Sequence, residues 1–271
     1  MMTAGAREDA GDAIGRLLAP AAAYVSRARH ARMFHPDGST FIARVEPLSM
    51  ESSLASIGRL LGGPALARFS GALWRREFEH LDVLGVALRF QRVASSSPVA
   101  LASDQDLLFA TIRSPFTMPF AAFTTNPHDF TANRYWAVSP FEVPGVGRVK
   151  FRLSPRSRGR SATLPREERL RSIVASEVSS WNLEVRRTFT PSWTPVARLF
   201  LERVAIIDQA TLRFSPFNSG REIVPRGLVH AMRRATYAAS QAARPWLTDA
   251  SDSPDGSPRQ SEPSPRPASS E

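Results

Sequence analysis

Three groups of residues in this chain have types and spacings that can do chemistry. In "RRATYAASQAAR" (233–244), Tyr237 follows Arg233 by four positions and precedes Arg244 by seven. On a helix these spacings bring all three side chains to one face. The alanines at 235, 238, 239 and 242 keep the rest of the segment slim. Such a face offers a phenol between two fixed positive charges, or simply a surface helix with a half-buried tyrosine. In "RMFHPDG", His35 stands three residues after Arg32 and three before Gly38. Its near-neutral pKa suits it to general acid–base work, although a histidine before proline also serves as a plain loop residue. In "ARFS", Arg68 and Ser70 flank Phe69 and share a strand face. An arginine on a buried face needs an anion, since an unpaired buried charge is prohibitive; the alternative is that this face looks outward.

Other chemistries are excluded or unsupported. There are no cysteines, so disulfides, thiolate metal sites and a cysteine nucleophile are ruled out. The five histidines have no metal-ligand spacing such as HExxH. No GxSxG, P-loop or GxGxxG is present. The formal charge of +10 invites a nucleic-acid reading, but Lys150 is the only lysine and the arginines are scattered. Their one dense stretch, 154–172, reads as a solvated loop and helix, and no specific nucleic-acid binding is expected. No apolar run reaches membrane-span length and the N-terminus is a poor signal peptide, so the expected location is the cytoplasm.

The elements that must position these residues are mostly strands. "TFIARVEPL", "ALARFSGAL", "LDVLGVALRFQRV", "QDLLFATI" and "GRVKFRL" alternate or run apolar between Gly, Pro and Ser. A short helix is expected at "ESSLASIGRLLG", an amphipathic one at 164–178, and further strands at "NLEVRRTFT" and "PVARLFLERVAII". Residues 1–11 are expected to be disordered, 12–248 to form one domain, and the Ser/Pro-rich tail 249–271 to be disordered. The fold class is α+β: antiparallel strands able to close into a barrel, with helices at both ends.

In their order along the chain, "RMFHPDG", "ARFS", "DVLGVALRF", "QDLLFATI", "GRVKFRL", "RFSPFNSG" and "RRATY" resemble the haem catalase superfamily. The resemblance implies a catalase-like antiparallel β-barrel, with haem b packed on a C-terminal helix. It implies Tyr237 as the phenolate ligand of the haem iron, with Arg233 lowering its pKa. Arg32, Arg68 and Arg244 would pair with the haem propionates. His35 would be the distal acid–base group, oriented by Ser70. Where full-size members carry a distal asparagine, this chain has Ala110 and Thr111, leaving Thr111 to offer a single hydroxyl. The missing amide and the shorter chain imply a peroxidase acting on organic or lipid hydroperoxides, with weak or no catalase activity. The alternative is a catalase-fold module that binds haem or a hydrophobic ligand without turnover. A homodimer would cover the barrel of so short a member.

Overall fold

The computed structural model describes residues 38–72, 79–137, 139–156, 164–176, 179–188 and 190–226. Arg32, His35, Arg233, Tyr237 and Arg244 lie outside them, as do both termini and the expected C-terminal helix. Ten strands run through the described residues: β1 Gly38–Pro47, β2 Gly63–Gly71, β3 Leu84–Phe90, β4 Gln105–Ala110, β5 Tyr135–Trp136, β6 Phe141–Val143, β7 Gly147–Pro155, β8 Ser179–Arg187, β9 Thr194–Val204 and β10 Val224–Pro225. The helices are α1 Ala55–Leu61, α2 Ala121–Thr124 and α3 Arg166–Ser176, with 3₁₀ turns at Pro115–Phe120 and Phe130–Ala132.

All strand pairings are antiparallel, in the order β5-β4-β3-β2-β1-β9-β8-β7. Pairing of β7 with both β8 and β5 closes these eight strands into a barrel. β6 and β10 extend from β7 as a short flap. Closure leaves the eight strands without an edge to pair with another chain.

Period-two alternation sends one set of side chains inward. Phe41, Ala67, Phe69, Val86, Leu88, Phe109, Tyr135, Phe151, Trp181, Leu183 and Leu199 fill the interior, all buried. Phe69 sits at the centre of the aromatic packing. Its ring meets Phe41 at 6.1 Å, Phe130 at 5.5 Å and Tyr135 at 6.4 Å edge-on, and Trp181 at 5.2 Å. Such pairs add to area burial because ring edges and faces carry opposite partial charge. The Tyr135 hydroxyl donates to the Phe130 carbonyl at 2.7 Å, and burial pushes its pKa well above the usual tyrosine value.

α3 packs on the barrel through Leu170 and Val174. Its first residue, Arg166, lies over the Phe130 ring and pairs with buried Asp82 at 3.2 Å. Asp82 in turn accepts from the backbone N–H of Ala72 and of Val83, tying the end of β2 to the approach to β3. The strand expected over "LDVLGVALRFQRV" therefore starts only at Leu84, because Asp82 is spent on this turn.

Candidate functional site on the outer face of strands β1 to β4

Because Phe69 points into the core, Arg68 and Ser70 point outward together. The register builds two rungs on this outer face. Gly38, Ser70, Gly85 and Ala110 stand opposite one another across β1, β2, β3 and β4. Thr40, Arg68, Ala87 and Leu108 form the next rung. Four strands span about 14 Å at the usual spacing. Ser70 is thus flanked across the sheet only by glycine and alanine, giving a shallow floor from which the Ser70 and Thr40 hydroxyls and the Arg68 guanidinium rise.

Both groups are covered: Arg68 is 4% exposed and Ser70 3%. Ala87, Leu108 and Ala110 on the same face are half-buried. Gly38 is required by the close crossing of β1 over β2. A Cβ there would stand 2.4 Å from the Phe69 carbonyl oxygen and 3.0 Å from the guanidinium carbon of Arg68. Gln209 reaches this face from the segment after β9. Its amide oxygen accepts from Arg68 Nε at 3.4 Å, and the amide meets the Thr40 hydroxyl at 3.1 to 3.2 Å. Nothing in the sequence singled out Gln209; it comes to Arg68 from 141 positions away through tertiary packing.

One rung further along, an ion pair clamps the same segment down. Arg89 and Asp106 are opposite residues of β3 and β4, and both are 0% exposed. Two parallel bonds join them, Nε to Oδ1 at 2.9 Å and Nη2 to Oδ2 at 3.1 Å, the geometry in which arginine holds a carboxylate best. Asp106 also accepts from Ser215 N at 2.9 Å and Asn218 Nδ2 at 2.8 Å. Arg89 donates to the carbonyls of Pro98, at 3.2 Å, and of Arg213, and its guanidinium lies 4.9 Å from the Phe214 ring centre. Burial pushes the Asp106 carboxyl above the usual carboxylate range, against the pull of Arg89. Leu212 and Phe214 then pack on Leu66, with Ile42, Ala87, Leu108 and Ile207 around them.

The structure brings Arg68 and Ser70 together and places Thr111 elsewhere. Thr111 follows the last residue of β4. Its hydroxyl accepts from Leu84 N at 3.1 Å and lies 2.7 Å from the Thr125 hydroxyl. Of the two residues at the expected asparagine position, it is Ala110 that shares the Ser70 rung. Thr111 borders instead a cleft of about 730 Å³ between the segment after β4, the approach to β5 and the end of β7. Among the described residues, no group of three or more His, Asp or Glu is placed to hold a metal ion, and no helix is long and apolar enough to cross a membrane.

Comparisons with known proteins rest on the fold alone. No family model matches the chain, and no curated protein matches it. Among solved structures it is similar to a fungal catalase, with a TM-score of 0.55 and 13% identity over 79% of this chain and 58% of that one. It is likewise similar to catalase A from Saccharomyces cerevisiae, with a TM-score of 0.52 and 12% identity over 79% of this chain and 60% of that one. The chain thus spans about three-fifths of the length of the catalases it matches. The closed antiparallel barrel, with few helices around it, is a catalase-like fold.

Proposed function

We propose that this chain is a small catalase-like haem protein that reduces organic or lipid hydroperoxides, and that the outer face of β1 to β4 is its distal wall. The observation that carries this reading is the pairing of buried Arg68 with buried Ser70 on a floor of glycine and alanine, in a barrel of this fold. The described residues fit a haem edge. A flat macrocycle needs a shallow, unbranched floor, and a propionate carboxylate is a suitable acceptor for a buried guanidinium. Tyr237 would hold the iron as phenolate, with Arg233 favouring the deprotonated form. Arg32 and Arg244 would join Arg68 at the propionates.

Bound haem supplies the redox chemistry of the reaction. The chain's own residues handle protons and position. His35 would take the proton from the terminal hydroperoxide oxygen and return it to the oxygen that leaves as alcohol. The Ser70 hydroxyl, held rigid by its strand, would orient that imidazole through a hydrogen bond. Two molecules of an external one-electron donor supply the two electrons, and with two protons from solvent the second peroxide oxygen leaves as water.

The test is a hemin titration of the purified protein beside Tyr237→Phe, followed by turnover of cumene hydroperoxide with guaiacol as donor. We expect stoichiometric uptake with a Soret band altered in the variant, and a loss of about 100-fold or more in turnover for His35→Ala, the usual scale of a general acid–base group. Absence of saturable uptake would refute haem binding. Rapid oxygen evolution from hydrogen peroxide, without turnover of the organic peroxide, would refute the substrate class.

The turnover-free binding module is the second reading. It is favoured by Ala110, which puts a methyl group on the Ser70 rung, and by the engagement of the Thr111 hydroxyl with Leu84 and Thr125. Hemin uptake without any His35-dependent turnover would select it.

A further inference from the structure

The segment joining β4 to β5 turns apolar side chains to the outside. Met118, Phe120 and Phe123 stand 45%, 64% and 71% exposed. The two phenylalanines are the exposed aromatic side chains among the described residues. Large apolar groups set this close together in water mark a contact surface. The backbone that presents them is fixed by its own bonds. Ser114 and Thr117 form a reciprocal capping box over the 3₁₀ turn, with N–H to side-chain oxygen distances of 3.1 and 3.3 Å. Across α2, the carbonyl of buried Ala121 accepts from the Thr124 hydroxyl at 3.1 Å and the Thr125 hydroxyl at 2.8 Å. The patch is thus preorganised, and little ordering remains to be done when it meets a partner.

The charges beside this patch are of one sign. Thr117, Ala121 and Thr124 border the same cleft as Arg113, Arg134 and Arg156. All three arginines are exposed and have no ion pair among the described residues. Between positions 111 and 136 the chain has one acid, Asp129, which is buried and lies 3.7 Å from Arg169. After Arg156 the sequence adds Arg158 and Arg160. Exposed aromatics ringed by exposed arginines match a surface that is itself both apolar and negative. Anionic lipid headgroups over acyl chains have that pairing, since rings settle at the interface and guanidinium groups meet phosphates. Pro115 and Pro119 in the 3₁₀ turn also leave fewer backbone N–H groups to be desolvated there. A second copy of this chain would instead set like charges against one another.

We infer that this segment docks the protein on an anionic lipid surface, with Met118, Phe120 and Phe123 entering the boundary between headgroups and acyl chains and Arg113, Arg134 and Arg156 meeting lipid phosphates. The docking does not depend on haem. The test sediments the full chain with phosphatidylcholine vesicles, alone or mixed with phosphatidylglycerol. We expect saturable binding to the mixed vesicles, about 10-fold or more tighter than to phosphatidylcholine alone and weakened by added salt. Phe120→Ser/Phe123→Ser should lose about 10-fold or more on the mixed vesicles. Arg113→Gln/Arg134→Gln should lose roughly 25-fold, about fivefold for each arginine near a charged surface. Arg59→Gln/Arg148→Gln removes two exposed charges elsewhere, in α1 and at the start of β7, and should change little. The inference is overturned if the parent does not bind the mixed vesicles, or if the aromatic and arginine variants both bind like the parent. An equal loss in Arg59→Gln/Arg148→Gln would assign the binding to net charge alone and overturn it. So would a parent dimer that Phe120→Ser/Phe123→Ser dissociates, which assigns the patch to a second copy. A fall of several degrees in the unfolding temperature of that variant would assign the patch to the chain's own packing, again overturning the inference.

Discussion

Replacing Asp106 by leucine isolates what the Arg89–Asp106 clamp does. The variant leaves a guanidinium that is 0% exposed with carbonyl acceptors from Pro98 and Arg213 but without its counter-charge. Breaking a buried pair by removing one partner costs about 3–5 kcal/mol, because the surviving charge stays desolvated. In a domain of 150 to 250 residues, each kcal/mol moves the unfolding temperature by about 2–4 °C, so the expected fall is about 6–20 °C. Asp106→Leu also removes the acceptor for Ser215 N and Asn218 Nδ2, so the segment around Arg213 should open locally. Urea denaturation measures the first effect, and trypsin cleavage after Arg213 in native buffer the second. Arg89→Met/Asp106→Leu removes the stranded charge and should recover at least half of the lost stability while cleavage stays fast. A cost below about 1 kcal/mol for the single variant, or a double variant no more stable than the single, would refute the argument from burial.

Two further perturbations address the site's supports. Gly38→Ala places a methyl group 2.4 Å from the Phe69 carbonyl oxygen and 2.8 Å from the Ser70 Cβ, neither of which can move without shifting β2. A loss of about 1–3 kcal/mol in urea unfolding is expected, the usual cost of overpacking. Asp208 starts the turn that carries Gln209 and accepts from the backbone N–H of Ala210 at 2.8 Å, which holds its carboxyl below the usual range. A depressed folded-state pKa means that its stabilising contribution is present above the ordinary value of 3.8 and is lost as pH falls through the lower folded value. Urea midpoints measured from pH 5 down to pH 2 should therefore decline less steeply in Asp208→Asn than in the parent, and parallel profiles would contradict this.

That Arg68 and Ser70 share a face was legible because it is local, one strand position apart on either side of Phe69. Which way that face looks was left open in the sequence and is settled by Phe69 lying in the core. The strands from β1 to β4, β7, β8 and β9, and the helices α1 and α3, were legible for the same reason, each being long enough to show a period. β5, β6 and β10 have two or three residues and no period to read. Thr111 shows another limit. A difference of one position separates the Ser70 rung from the cleft rim, and position in sequence does not reveal where a strand stops. Gln209 at Arg68 and Arg89 on Asp106 are products of tertiary closure. Of the sequence-derived site, Arg68 and Ser70 are seen together, whereas the ligand helix and the His35 segment lie outside the described residues.

The tripeptide Arg68-Phe69-Ser70 has a consequence for how such a chain can change by insertion and deletion. Its central ring belongs to the barrel's aromatic packing and its flanking side chains to the opposite surface. Inserting or deleting one residue within β2 would exchange the two sets, driving a guanidinium among Phe41, Phe130 and Trp181 while expelling Phe69. A change of two residues restores the parity but moves Arg68 to another rung, away from Gln209 and Gly38. The strand thus tolerates substitution far better than any change in length, and length variation between proteins of this fold should accumulate in the connections, leaving β2 at constant length.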